Sequence, residues 1–339
     1  MRARPFGESS RGPVRLLSIG SQPGPVIELL DLGATVHRLW LTGGDGVRRN
    51  VVLGHATAGE YLDSVDYIGG TIGRYANRIK GGRFSLDGRV VQLATNEHGN
   101  HLHGGPEGFH RRVWEVVRHS DDQLTLRLGS PSGDQGFPGE LVVLAAFETT
   151  ADSVRVRFEA VTDAPTVMNL TSHAYFNLDG DGSGSVENQV LRVAATRYLP
   201  VDAHGIPLEP QPVVGTPFDL RDPGRLGDVV GRTGGLDHSF VLDGDGPAAV
   251  LDSSATRTRL ELHTDQPGLQ VYSGGGLDGS RHSTTGQPYH RDAGLALEPQ
   301  RFPDTPNRPE FGSAVLRPGE TYRARLEWRF TALDESGGD

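Results

Sequence analysis

Apolar and polar residues alternate one for one through much of this chain. Residues 154–161 read Val-Arg-Val-Arg-Phe-Glu-Ala-Val, and 322–330 read Tyr-Arg-Ala-Arg-Leu-Glu-Trp-Arg-Phe. Successive side chains of a strand point to opposite faces. A period of two therefore predicts strands with one face buried and the other wet or lining a groove. Strand-like runs also occur at 15–19, 26–30 and 124–128, with turn pairs such as Asp87-Gly88, Ser132-Gly133 and Asp243-Gly244 between runs. No long segment repeats every 3.6 residues, and strand–helix–strand units do not recur, which argues against a doubly wound parallel sheet. The pattern predicts an all-β chain, a large antiparallel β-sandwich in a single domain over 13–332. Residues 1–12 and 333–339 read as flexible termini, and the Asp-Gly-Asp-Gly-Ser-Gly of 179–184 as a flexible loop tip.

Composition narrows the partners. The 339 residues suit one long β domain, and 35% hydrophobic content is enough for many short strands. A net charge of −10 argues against nucleic acid and fits a neutral or weakly charged small molecule. With no cysteine there is neither a disulfide framework nor a thiolate metal site. The arginines near the start precede no apolar stretch of the secretory kind, and no window reaches the length of a membrane span. The expectation is a cytoplasmic protein without a membrane partner.

Five segments carry candidate chemistry. In 295–300 a strand would set Ala296, Glu298 and Gln300 on one face and Leu295 and Leu297 on the other, before a Pro-rich turn. A carboxylate fixed on a rigid element beside an amide suits a general base, whereas the plainer reading is an exposed Glu on a half-buried strand. Residues 169–178 would place Asn169, Thr171, His173, Tyr175 and Asn177 on one face. These are directional hydrogen-bonding groups, which suit a groove for a polyhydroxylated ligand better than a solvated face of Lys and Glu. His98, His101 and His103 raise a metal reading, but no acidic or thiol ligand sits at a recognised spacing. The rival reading makes His103, ahead of two glycines, a hydrogen-bonding imidazole and leaves His98 and His101 as surface residues. Within 73–79, Arg74 reads as half of a structural ion pair, while an arginine fork can also grip sugar hydroxyls. Asp237, among the residues 235–240, reads as either a turn residue or an acceptor for ligand hydroxyls.

Taken together, the segments resemble the aldose 1-epimerase (galactose mutarotase) family over nearly the whole chain. The resemblance rests on Gly-Arg-Tyr-Ala-Asn-Arg-Ile at 73–79, Leu-His-Gly-Gly at 102–105 and Gly-Asp-Gln-Gly-Phe-Pro-Gly at 133–139. It continues through Asn-Leu-Thr-Ser-His-Ala-Tyr-Phe-Asn-Leu at 169–178, Leu-Asp-His-Ser-Phe at 236–240 and Leu-Glu-Pro-Gln-Arg-Phe-Pro-Asp-Thr-Pro-Asn at 297–307. It implies a β-supersandwich and interconversion of the α and β anomers of free hexoses of the glucose and galactose type. It implies Glu298 as proton acceptor and His173 as proton donor. Asn77, Arg78, His103, Tyr175, Asp237 and Gln270 would be the sugar-contacting positions, with no metal and no cofactor. Leu236, Ser239, Gly275 and Gly312 depart from common family residues without removing a catalytic group.

In this scheme Glu298 takes the anomeric proton while a protonated His173 delivers one to the ring oxygen, so the fold is expected to favour the imidazolium. The partner would be a monosaccharide and the protein a monomer or homodimer. The competing readings are a non-catalytic carbohydrate-binding protein, a glycoside hydrolase pairing Asp237 with Glu298, and an epimerase of another aldose or of a phosphorylated hexose.

Overall fold

The alternating runs become strands in a computed structural model of the chain, which describes residues 2–244 and 246–334. Three sheets dominate. One has nine strands, in the order Glu115–His119, Gln123–Ser130, Leu141–Thr149, Ser153–Thr162, Tyr322–Ala332, Thr258–Thr264, Ala249–Ser253, Val190–Val193 and Gly224–Arg225. Its central strands bury every second residue, as their sequence pattern requires. A second sheet has six strands, in the order Tyr175–Phe176, Leu295–Gln300, Gly268–Tyr272, Asp237–Leu242, Ala195–Leu199 and Gln211–Pro212. The third has five: Arg2–Ser9, Gly12–Gly20, Val26–Leu30, Thr35–Thr42 and Arg48–Asn50. All the ladders between these strands are antiparallel.

One continuous apolar core joins the inner face of the nine-stranded sheet to the other two. It runs from Leu126, Phe158 and Trp328 through Leu29 and Leu39 to Phe240, Leu269 and Leu297. Burial of this apolar area is the main force holding the sandwich together, at about 25 cal/mol per Å². Helix is confined to short pieces. Ala58–Asp63 begins at Thr57, whose hydroxyl accepts from the Glu60 N–H while the Glu60 carboxylate accepts from the Thr57 N–H, a capping box. No helix among the described residues is long and apolar enough to cross a membrane.

Two expectations about mobile segments need correction. Arg2–Ser9, expected to be a flexible terminus, pairs with Gly12–Gly20 as an edge strand. Its anchor is Phe6, whose ring packs on His37 and Tyr61 at centroid distances of 4.8 and 6.4 Å. Alternation there is broken by arginines and a proline, so the strand signal was hidden. The 179–184 segment is tied down by Asp181, which accepts hydrogen bonds from Thr284 and Tyr289. At the other end, Leu333 donates to the Arg257 carbonyl at 2.9 Å, and the remaining residues of the expected C-terminal tail, 335–339, lie outside the described residues.

Candidate active site

The Leu295–Gln300 strand is buried at all six positions. Leu295 and Leu297 enter the main core, whereas Ala296, Glu298 and Gln300 face the opposite way and are covered by other segments. Glu298 is therefore no exposed surface acid: only 1% of it is accessible. Beside it runs the 169–176 segment, antiparallel, with Tyr175 opposite Ala296. That register brings His173 opposite Glu298, and the imidazole Nε2 lies 3.6 Å from the carboxylate Oε1. Two residues 125 apart in sequence thus converge because the segment that leads into the Tyr175–Phe176 strand runs beside the strand carrying Glu298.

The expected polar face of 169–177 divides into two jobs. His173 and Tyr175 line a pocket. Asn169 and Asn177 instead satisfy backbone: the Asn169 amide donates to the Ala76 and Arg301 carbonyls, and that of Asn177 to the Gly184 and Ala293 carbonyls. Tyr175 spends its hydroxyl on the Asp66 carbonyl at 2.9 Å and turns its ring to the pocket, 5.0 Å from the His173 ring.

His103 and Asn77 lock each other. Both have positive φ, 51° and 63°. The Asn77 N–H donates to His103 Nδ1 at 3.1 Å, and the His103 N–H donates to the Asn77 carbonyl at 3.2 Å. Gly104 makes this crossing possible, since a Cβ there would stand 1.8 Å from the Gly73 carbonyl oxygen. A backbone N–H only donates, so His103 Nδ1 must carry the lone pair. Neutral His103 therefore holds its proton on Nε2 and is a donor, not a proton acceptor.

Arg78 grips Glu97 through Nε and one terminal nitrogen, at 3.0 and 2.7 Å, and its other nitrogen lies 3.8 Å from Asp237. Asp237 accepts from the Gln270 amide at 2.6 Å. Gln270 itself does not reach the pocket; it sits across the ladder from Glu298 and holds Asp237 from behind. The pocket, about 150 Å³, is lined by Asn77, Arg78, His103, His173, Tyr175, Asp237 and Glu298 from the expected set. Sequence reading missed Val65, Asp66, Tyr67, Leu102 and Tyr272. Tyr272 was within reach, because it follows Gln270 by two on one strand and so shares its face. Tyr67 gave no periodic signal; it sits in a loop at φ 56°, with its ring 4.6 Å from His103 and 5.9 Å from His173.

Two other expectations change. Arg74 is not half of an ion pair. It is buried and donates to the carbonyls of Ser130, Pro131, Pro138 and Gly139 and to the Ser130 and Thr166 hydroxyls. His101 is no surface residue: it is fully buried, with Nδ1 on the Ala94 carbonyl at 2.7 Å.

Electrostatics overturn the expected imidazolium. Burial lowers His173 to about 4 and holds His103 well below its ordinary range. Burial raises Glu298 well above the usual carboxylate range; Asp237 adds to that and Arg78 opposes it. Burial thus favours a neutral imidazole beside a protonated carboxyl, because desolvation penalises both charges. His103, His173 and Glu298 are the one group of three among the described residues whose ligand atoms converge, within 4.8 Å, as a metal site would need. The His103 tautomer counts against that use, because its Nε2 carries a proton and offers no lone pair.

A carboxyl and an imidazole able to exchange one proton, facing a small pocket rimmed by directional polar groups, define a general acid–base enzyme for a hydroxylated small molecule. The comparisons place it further. The family model described as aldose 1-epimerase matches residues 15–329. The aldose 1-epimerase of Escherichia coli strain K12 is 40% identical over 334 residues, covering 94% of this chain and 96% of that one. Human galactose mutarotase is 38% identical over 311 residues, covering 90% and 91%. Among solved structures, a galactose 1-epimerase from Lactobacillus acidophilus superposes with a TM-score of 0.87 at 29% identity, covering 98% of this chain and 99% of that one. An aldose epimerase homologue from C. elegans gives 0.89 at 29% identity, covering 94% and 99%. The chain belongs to the aldose 1-epimerase family and is an isomerase of that fold.

Proposed function

We propose that this chain interconverts the α and β anomers of free hexoses of the glucose and galactose type, with Glu298 and His173 as the proton-transferring pair. The observation that carries the reading is the 3.6 Å approach of His173 Nε2 to Glu298 Oε1 at the pocket wall. Ring opening removes a proton from the anomeric hydroxyl and adds one to the ring oxygen. Glu298 takes the first and His173 gives the second. The aldehyde then rotates about its first carbon–carbon bond and recloses with the roles reversed. Each assisted proton transfer contributes typically about 10²–10⁴-fold.

The proton inventory supports this. Carboxylate plus imidazolium, and carboxyl plus imidazole, hold the same single proton. The second arrangement is the one left when the sugar ring has just opened. Burial favours it, so a bound hemiacetal must shift the proton to His173 before chemistry. The pair titrates as a unit. A second proton enters as pH falls through about 4, the value to which His173 is lowered, and the shared proton leaves above the usual carboxylate range, where Glu298 has been pushed. The expected kcat profile is a bell with an acid limb near pH 4 and an alkaline limb above the usual carboxylate range; a profile that lacks either limb would contradict the pair.

His103, Asn77, Arg78 and Asp237 would hold the sugar hydroxyls, Tyr175 would supply a ring wall, and Gln270 would fix Asp237. Arg74 is enclosed by carbonyls and Arg78, the arginine among the described residues that line the pocket, is engaged by Glu97, so the pocket offers no free guanidinium to a phosphate. That favours free sugars over phosphorylated ones. A monomer or homodimer in the cytoplasm, with 13–332 as one domain, fits the continuous core and the absence of a membrane-length helix among the described residues. Polarimetry of freshly dissolved α-glucose and α-galactose tests the reading: the protein should speed mutarotation, and Glu298→Gln should lose about 10²–10⁴-fold. Binding without acceleration would leave only a carbohydrate-binding protein, and release of reducing sugar from an oligosaccharide would point to a glycosidase.

A further inference from the structure

Behind the acid–base pair lies a patch of buried polar atoms that the scheme above does not use. Glu298, Gln270 and Ser239 are consecutive cross-strand neighbours, since Gln270 pairs with both Glu298 and Ser239. All three side chains therefore share one face of the six-stranded sheet. Gln300 shares that face with Glu298, two residues along the strand. The Thr171–Ser172 strand, which leads into His173, packs near the Leu295–Gln300 strand. Glu298 Oε2, both amide atoms of Gln300, Gln270 Oε1, Ser239 Oγ and Thr171 Oγ1 are all buried and have no hydrogen-bond partner in the protein. Isolated cases of this kind are rare in folded proteins, and a primary amide with neither end satisfied is costly. These six atoms would be satisfied together if they bordered one polar chamber.

We propose that this chamber holds ordered water and that Gln300 is a positioning residue, its amide donating through one water to Glu298 Oε2. The proposal rests on Glu298 being the proton acceptor. The spacing allows it. Residues two apart on a strand lie about 7 Å apart, and two hydrogen bonds of about 2.8 Å span about 5.6 Å. A buried water needs two to four polar partners, and Gln270 Oε1 across the ladder supplies a third. Glu298 Oε1 faces His173, so Oε2 is the oxygen left for the chamber. The water-mediated bond holds the carboxyl group in the orientation that meets the sugar. It also stabilises the anion that burial disfavours, and so raises the fraction of the pair poised as carboxylate and imidazolium. The other titratable groups around Glu298 are His173 and Tyr175 from the segment on one side, Tyr272 from the paired strand on the other, Asp237 from the strand beyond it, Arg78, and the loop residues Asp66, Tyr67 and His103. None of them reaches Oε2 with a hydrogen bond.

Gln300→Met keeps length and bulk and deletes the amide. The folded variant should lose roughly 10- to 100-fold in kcat, with KM changed less than about threefold. Its alkaline pH limb should rise by about one unit, because the anion has lost its donor. A purely structural contribution would lower the plateau and leave that limb in place, so an unmoved limb overturns the inference. A high-resolution crystal structure of the wild type decides the matter independently, including the case in which the variant fails to fold. Ordered water within about 3.2 Å of both Glu298 Oε2 and the Gln300 amide supports the proposal, and a dry Oε2 overturns it. Glu298→Gln assayed alongside separates the two layers. Wild-type mutarotation in that variant removes the base and this inference with it, whereas an inactive Glu298→Gln with an unmoved Q300M limb removes only the role of Gln300.

Discussion

Two strands with the same binary pattern meet opposite fates. Tyr322–Ala332 sends Tyr322, Ala324, Leu326, Trp328 and Phe330 into the core and Arg323, Arg325, Glu327 and Arg329 outward. Outside, Glu327 finds Arg155 and Arg329, each at 3.4 Å. Leu295–Gln300 alternates just as regularly, but its polar side is as buried as its apolar side. There Glu298 meets an imidazole instead of an arginine, and one of its oxygens has no protein partner. Periodicity specifies a strand in both cases and is silent on what covers the second face. The residue types decide that. Charged side chains with long flexible stems tolerate water and mutual screening, whereas Glu, Gln, His and Thr without a cation nearby are tolerable only where a ligand or bound water completes them.

The sharpest test of that contrast is acid. His37 and His110 are lowered to about 3, and His101 and His173 to about 4, all chiefly by burial. Their folded pKa lies below the unfolded value near 6.5, so the unfolded chain binds more protons in between. Stability is therefore complete above about pH 6.5 and falls as pH drops towards 4 and 3, by up to about 1.4 kcal/mol per pH unit for each histidine. Urea midpoints measured from pH 7 to 4 should fall steadily. A constant midpoint over that range would mean that the buried histidines are charged in the native state.

Next in size comes a pair of arginines four residues apart. Arg74 satisfies four backbone carbonyls and two hydroxyls inside the fold, and Arg78 braces Glu97 and Asp237 at the pocket. A lysine ammonium cannot reproduce either fork. Arg74→Lys should cost about 2–4 kcal/mol of stability with KM unchanged in the surviving native protein. Arg78→Lys should raise KM roughly tenfold with a smaller loss of stability. Reversal of the two effects would exchange their roles.

The same arginines show how far the sequence could be read. Strand periodicity located the sandwich, and the residue types on the even face of 295–300 and the odd face of 171–175 located Glu298, His173 and Tyr175. Arg74 escaped because its partners are carbonyls, which leave no mark in a sequence. Asn169 and Asn177 looked like groove residues because an amide that satisfies backbone has the same pattern as one that contacts ligand. Tyr67 escaped because a loop has no period. The charge state of His173 was misjudged for a physical reason: its pKa depends on how completely neighbouring segments exclude water, and burial on both faces of a strand is a tertiary property.

The smallest expected effect sits on the wet face and is the control for all the others. Glu327 is the only acid on its strand, as Glu298 is on its own, and both are flanked by apolar residues in sequence. Its pairs with Arg155 and Arg329 lie at the surface, where Coulomb attraction is screened and holding long side chains costs entropy. Each such pair contributes about 0–1 kcal/mol. Glu327→Gln should therefore lower stability by less than about 1 kcal/mol, with that loss shrinking further in high salt. Mutarotation by this variant should stay within about a factor of two of wild type, far inside the smallest gain from one assisted proton transfer, roughly 10²-fold. A large loss of either stability or rate at Glu327 would mean that the two faces are not the separate environments their side chains describe.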